Sequence, residues 1–344
     1  VWTLGTTAGA NALEARIGAG ASVTFAATGV AGAGASVTLS PASKNVTVGT
    51  TDTVVVTVRD AYGNAVSGER VDVFIHDPAG GVLGSNPADP NPTTTVTPTA
   101  RYGTTDGSGR ITVLYTAPSS AGVADSVDAF TAGVGAASVT DAVYTSVASG
   151  ATDLRVSLSA SSVAAGSTFV ATIEAVDGNG NRDGTSAAVV SLGSSGGGMA
   201  FSLTDFGAPV TSVTLSGGVA VVYVRGTVAG SWTVDVSATG LGGDSAPVTI
   251  RDAGVVSSYE VSAPSSVVAG ALFGVSVTAR DAYGNRVAGA NGTVSVAAVL
   301  ASDSTQAASA TLPVTSATLT GGQVVVSETY GVSEAIRVRV SDGT

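Results

Sequence analysis

Cysteine is absent from the 344 residues, which excludes disulfides, thiol catalysis, zinc knuckles and iron–sulfur ligation in one step. Histidine occurs once, at His76, and lysine once, at Lys44, so arginine supplies the remaining cations. Charged residues make up only 11% of the chain, too few for a disordered acidic tail or a coiled coil. The 14 basic residues face 25 acidic ones, a net charge of −11, and the arginines are dispersed. A nucleic-acid surface needs clustered cations to displace counterions, so nucleic acid is excluded as a partner. No apolar run approaches the roughly 18 to 20 residues of a membrane-spanning helix, and helical membrane insertion is not expected. The chain opens at Val1 with neither an initiator Met nor a basic-then-apolar leader, the expectation for a mature or excerpted segment.

What is abundant is glycine, at 46 positions, within a chain that is 44% apolar. Its order is repetitive. Gly49-Thr-Thr-Asp-Thr-Val-Val-Val-Thr-Val-Arg-Asp60-Ala-Tyr-Gly63-Asn64 shares a frame with Gly166 to Asn181 and with Gly270 to Asn285. In each, Gly and Asp are 11 apart, and Gly-Asn follows the Asp at plus three and plus four. Later in each repeat Gly109-Arg-Ile-Thr-Val, Gly218-Val-Ala-Val-Val and Gly322-Gln-Val-Val-Val open β-branched runs. These lead to Asp125-Ser-Val-Asp-Ala-Phe-Thr, Trp232-Thr-Val-Asp-Val-Ser and Ile336-Arg-Val-Arg-Val-Ser. The Asp-to-Asp separations are 117 and 104 residues, and the difference falls in a Pro-rich excursion around Ser85 to Thr93, expected to be a loop.

Within each repeat apolar residues alternate with Ser, Thr, Asp or Arg at period two, as in Val275-Ser-Val-Thr-Ala-Arg. Alternation of that kind, broken by Gly and Asn bends, predicts antiparallel strands with one face in the core. Seven such strands in about 100 residues is the size of an immunoglobulin-like sandwich. The Asp-x-x-Gly-Asn segments, with Gly63, Asn64, Gly180, Asn181, Gly284 and Asn285, predict tight turns: Asp caps the bend, and Gly and Asn tolerate positive φ.

Val54 to Val71 and Val275 to Gly289, which carry Arg-Asp-Ala-Tyr-Gly-Asn, resemble the bacterial immunoglobulin-like domains of the invasin and intimin type, as does Thr104-Thr-Asp-Gly-Ser-Gly-Arg-Ile-Thr-Val. The second repeat keeps only the turn skeleton. The resemblance implies domains of cell-surface adhesins, fibres and surface layers, serving as spacers or as the binding tip. It specifies fold better than activity.

Val1-Trp-Thr-Leu-Gly5-Thr-Thr-Ala-Gly9 aligns with Val222 to Gly230 at a constant offset, and Ala21 to Gly29 is expected to match the closing strand near Ala246 to Ile250. Residues 1 to about 30 therefore read as the last strands of a sandwich, and the third repeat reads as stopping before its closing strand at Asp342-Gly-Thr344. Two expectations stand: an excerpt of a longer tandem array, or a subunit whose N-terminal strands complete the open C-terminal sandwich of a neighbour. The assembly candidates are Val1, Trp2, Leu13, Val23, Phe25, Ile336, Val338 and Val340. Ala21 to Gly29 acts as donor only if Leu13 and its neighbours find another place.

No catalytic constellation emerges. His76, beside Asp77, lacks a nucleophile elbow, and the carboxylates alternate along strand faces; the chain is expected not to be an enzyme. Calcium is the one cofactor candidate, through the turn residues Asp60, Asp177 and Asp281 or the junction residues Asp141, Asp153, Asp252 and Glu260, against the simpler reading of capped turns. Lys-Asn isopeptide crosslinks are excluded where there is no lysine, and Asn45 and Asn291 head glycosylation-type triplets.

The expected fold is all-β, tandem immunoglobulin-like antiparallel β-sandwiches forming a rod. Its expected parts are a partial domain at 1–33, full domains at 34–150 and 151–255, and a domain at 256–344 lacking its closing strand. The expected role is structural, in an extracellular, cell-surface bacterial or archaeal fibre, surface layer or adhesin stalk, with itself as partner. The alternative is an adhesin module that takes a glycan or host-surface ligand through residues 84–98.

Overall fold

A computed structural model describes residues 1–131, 140–196 and 198–342. Among them every regular element is a β-strand. The chain divides into two compact units, Val1–Ala151 with Val176–Asp183, and Thr152–Ala175 with Gly184–Thr344.

The first unit opens with a hairpin of β1 (Gly9–Arg16) and β2 (Ser22–Gly29), which pairs Leu13 with Phe25 and Ala15 with Val23. A sandwich follows, built from β3 (Gly34–Ser40), β4 (Ser43–Thr47), β5 (Thr51–Asp60), β6 (Arg70–Ile75), β7 (Val82–Ser85), β8 (Thr94–Thr97), β9 (Ala100–Thr104), β10 (Arg110–Thr116), β11 (Ala124–Thr131) and β12 (Thr140–Val147). One sheet has the order β3-β5-β10-β7 and the other β4-β12-β11-β6-β9-β8. The closing strand β12 lies between its antiparallel neighbour β11 and the parallel β4, the immunoglobulin-like arrangement.

Period two explains the core. In β5 Val54, Val56 and Val58 are buried while Val55, Thr57 and Arg59 sit half-exposed on the other face. They meet Ile111, Val113, Tyr115 and Tyr144, and each fully buried aliphatic contributes about 1.5–3 kcal/mol.

The second unit holds β13 (Asp153–Leu158), β14 (Ser162–Ala164), β15 (Thr168–Val176), β16 (Val189–Ser194), β17 (Met199–Ser202), β18 (Pro209–Val210), β19 (Ser212–Thr214), β20 (Val219–Gly226), β21 (Gly230–Ala238) and β22 (Leu241–Arg251). Its closing strand β22 pairs antiparallel with β21 and parallel with β14, as β12 does with β11 and β4. The last sandwich comprises β23 (Ser258–Ser262), β24 (Leu272–Arg280), β25 (Thr293–Leu300), β26 (Ser316–Thr318), β27 (Gln323–Thr329) and β28 (Ile336–Ser341). Its sheets are β23-β24-β27 and β26-β25-β28, and among the described residues no strand pairs with the outer edge of β28.

One expectation is corrected. The 84–98 excursion is not simply a loop, because Gly84 and Ser85 end β7 and Thr94–Thr97 form an edge strand. Its turn is pinned: Arg101 Nε donates to Thr93 Oγ1 at 2.8 Å, and Asp89 Oδ2 accepts from the Thr112 amide at 2.7 Å. The match of Ala21–Gly29 to the closing strand near Ala246–Ile250 holds, and the pairing gives its register. The hairpin pairs Gly9 with Gly29 as β21 and β22 pair Gly230 with Ile250, so Phe25 corresponds to Ala246 and Ala27 to Val248. Similar β-branched words do not report register, which the length of the connecting turn sets.

Candidate functional site: a repeated clasp at the sandwich junctions

Each Asp-x-x-Gly-Asn segment folds into the same turn. Asp60 Oδ1 accepts the amides of Tyr62 and Asn64 at 2.9 and 2.8 Å, and the Gly63 amide closes on the Asp60 carbonyl. Asp177 Oδ1 holds Asn179 and Asn181 the same way, and Asp281 Oδ1 holds Tyr283 and Asn285. The glycines Gly63, Gly180 and Gly284 have φ of 85°, 81° and 84°, where a Cβ would be strained.

The remaining polar atoms reach outward. Oδ2 of each Asp accepts an amide from the linker that follows the preceding closing strand: Gly32 to Asp60 at 2.9 Å, Ser149 to Asp177 at 3.1 Å, Ala253 to Asp281 at 2.8 Å. Each Asn carboxamide spans a loop that precedes a penultimate strand. Asn64 Nδ2 donates to the Thr6 carbonyl at 2.8 Å while its Oδ1 accepts the Ala8 amide at 2.9 Å. Asn181 does the same to Ser119 and Ala121, at 2.8 and 2.9 Å, with the 176–183 turn packed in the first unit. Asn285 does so to Thr227 and Ala229, both at 2.8 Å. One side chain thus takes both a donor and an acceptor of the main chain, and a second ties down the linker.

Electrostatics follow from this wiring. The Asn64 amide and the Gly32, Asn64 and Tyr62 N–H groups outweigh burial and lower Asp60 to about 2. At Asp177 and Asp281 burial opposes ionisation, yet the Asn181 and Asn285 donors and the backbone amides carry both below the usual carboxylate range.

The third junction adds an aromatic wedge. Tyr283 stands over Gly166, where any Cβ would collide with its ring, and its hydroxyl accepts from Arg225 Nη2 at 3.0 Å. The counterpart in the middle turn is Asn179, and in the first it is Tyr62, which is exposed.

The turn residues of the calcium expectation are therefore occupied by N–H donors. Asp153 accepts the Thr152 hydroxyl, Asp252 accepts the Gly254 amide, Asp141 stands opposite Asp128, and Glu260 pairs with Arg280. Among the described residues no group of three or more His, Asp or Glu side chains is placed to hold a metal. His76 Nδ1 lies 2.9 Å from the buried Asp128 Oδ2, a bond that raises the imidazole pKa. Lys44 forms an exposed ion pair with Asp52.

Of the assembly candidates, Val1, Trp2, Leu13, Val23 and Phe25 lie exposed on or before the opening hairpin. Ile336, Val338 and Val340 are half-buried against the third core. The clasp partners Thr6, Ala8, Ser119, Ala121, Thr227 and Ala229 were not singled out from the sequence, because they act through backbone atoms. Their one trace is the constant offset that aligns residues 1–9 with 222–230.

The chain is similar to several solved structures. The Escherichia coli adhesin FdeC matches at 22% identity over 91% of this chain and 99% of that one, with a TM-score of 0.46. Invasin, a bacterial integrin-binding protein, matches at 17% identity over 90% of this chain and 57% of that one, with a TM-score of 0.38. A Bacteroides vulgatus β-glycosidase matches at 18% identity over 62% of this chain but 24% of that one, with a TM-score of 0.30. No family model and no curated protein matches the chain.

Proposed function

We propose that this chain is a non-enzymatic structural spacer of an extracellular cell-surface assembly, a fibre, surface layer or adhesin stalk, in which consecutive immunoglobulin-like sandwiches are held at their junctions by the Asp–Asn clasp. The observation that carries the reading is the threefold recurrence of the same bonds. A surface turn needs only its own cap; these turns also grip a linker and a neighbouring loop, with Asn Nδ2 2.8 Å from its carbonyl each time. Backbone-directed bonds of this kind limit bending where a bare linker would swivel. The resemblance of the Val54–Val71 and Val275–Gly289 segments to bacterial surface domains supports the location.

Two measurements test the reading. In Asn285→Ala the sandwiches are expected to stay folded while the Ala229 amide exchanges with solvent about 5- to 30-fold faster, the loss of roughly 1–2 kcal/mol of hydrogen bonding. Unchanged exchange at Ala229 would remove the clasp as a junction lock. Antibodies against the chain are expected to label intact cells of its source; labelling confined to the cell interior would overturn the surface role.

A further inference from the structure

One position sets the second sandwich apart from the other two. Arg225 of β20 pairs with Thr168 as Thr116 pairs with Thr51 and Thr329 with Leu272, so a cation stands where the other repeats carry threonine. With Thr168, Ala200, Phe201, Phe206 and Pro209, among others, Arg225 lines a cavity of about 140 Å³. At roughly 30 Å³ per water that is the space of about four or five waters, enough for a small organic group. All of these residues belong to the second unit.

The Arg225 guanidinium has more donors than partners. Nη2 donates to the Tyr283 hydroxyl at 3.0 Å, and Cζ lies 5.2 Å from the ring centroid of Phe206 and 5.9 Å from that of Tyr283. Nε is buried without a hydrogen-bond partner, and among the described residues no carboxylate pairs with the charge. A donor that has lost water without gaining an acceptor is a standing cost, and the low local dielectric that makes it costly also strengthens its attraction for an anion.

The aromatic wall is fixed by its loop. Phe206 has φ of 52°, the one non-glycine residue with positive φ among the described residues, and it is 65% exposed. A bulky residue in the left-handed region is an outlier that persists where its surroundings hold it, and such residues cluster at ligand clamps. Here the Ser202 hydroxyl and the Gly207 amide both donate to the Thr204 carbonyl, at 2.8 and 2.9 Å, and a Cβ at Gly207 would collide with Thr204. Glycine in place of Phe206 would take that backbone without strain, so neither burial nor the turn calls for phenylalanine.

We infer that this cavity is a binding site for a small organic carboxylate, with the acid group on the Arg225 guanidinium and the carbon body against the Phe206 ring. The inference goes beyond the spacer reading and does not rest on it. A planar guanidinium matches a carboxylate through two parallel N–H donors. One unpaired cation balances one negative charge, which favours a monoanionic carboxylate over a dianionic phosphate, and the aromatic wall favours a ligand with carbon to lay against it. The acid group of a glycan's sugar acid and that of a free apolar acid share this chemistry. Arg225 also bonds Tyr283, the wedge of the third junction, so the cavity and that junction depend on one side chain.

The test is isothermal titration of the whole chain with glucuronate, benzoate, glucose and phosphate. Glucuronate or benzoate is expected to saturate a single site at millimolar concentration, with glucose and phosphate at least about tenfold weaker. Tighter glucuronate identifies a sugar acid and tighter benzoate an apolar acid; either upholds the site. Arg225→Gln is expected to weaken binding at least about tenfold, and Arg225→Lys, which keeps the charge but not the fork, by less. Phe206→Gly is expected to weaken it about three- to tenfold with the thermal melt unchanged, which keeps lost binding distinct from lost folding. The inference is overturned if neither acid binds, if glucose or phosphate binds as tightly as the acids, or if affinity is indifferent to Arg225→Gln.

Discussion

In the first sandwich Tyr115 of β10 packs on Tyr144 of the closing strand, ring centroids 4.8 Å apart, and both are fully buried. In the third, Glu328 stands where Tyr115 does: Tyr115 pairs with Asp52 and Glu328 with Phe273, at equal distances from Val54 and Val275. Glu328 is fully buried as well, yet only Oε2 finds a donor, the Val314 amide at 3.2 Å, while Oε1 has none among the described residues. The same repeat position thus yields stacked aromatics in one sandwich and a buried, half-partnered carboxylate in another.

The sharpest break in that comparison is Tyr144→Ala, which removes the seal of the first sandwich and is expected to cost about 3–5 kcal/mol in denaturant unfolding. A cost below that of an ordinary surface change would mean that β12 does not close the core. Glu328→Leu works in the opposite direction. Removing a buried, half-partnered carboxylate is expected to stabilise the third sandwich by about 1–3 kcal/mol, and a destabilised variant would show that Glu328 has a role its bonds do not reveal.

Acid separates the clasps from the cores. The folded pKa of Asp60 lies near 2, below its ordinary 3.8, so its contribution is complete above the ordinary value and is lost as pH falls between the two. Asp177 and Asp281 shift the same way. The melting temperature is therefore expected to fall on acidification from pH 4 toward pH 2, more steeply in the wild type than in Asp60→Asn, and parallel slopes would refute the assignment. The smallest effect is expected from chelation. EDTA should leave the melting temperature unchanged, since the three turn carboxylates already hold N–H donors, and a clear drop would restore calcium to the junctions.

Strand content was legible because period-two burial needs no partner to be recognised: Val275, Val277 and Ala279 alternate with Ser276, Thr278 and Arg280 in the sequence as they do in space. The turns were legible for the same reason, since Asp60, Gly63 and Asn64 satisfy one another within five residues. What escaped was the outward half of the same turn. Asn64 bonds residues 56 and 58 positions away, and those residues contribute only peptide groups, which every amino acid carries. The excursion was misjudged because proline marks breaks in pairing without showing that Thr94–Thr97 resumes it at an edge.

Because each clasp grips main-chain atoms at one end and a self-contained turn at the other, its two halves place little demand on each other's side chains outside the third junction, where Tyr283 needs a glycine at Gly166. A repeat that keeps Asp, Gly and Asn in register fits behind any sandwich that presents the loop. Duplication, deletion or recombination of whole repeats would leave the joints intact without compensating substitutions. The length of such an array is thus free to drift on a genetic timescale while its joints stay the same.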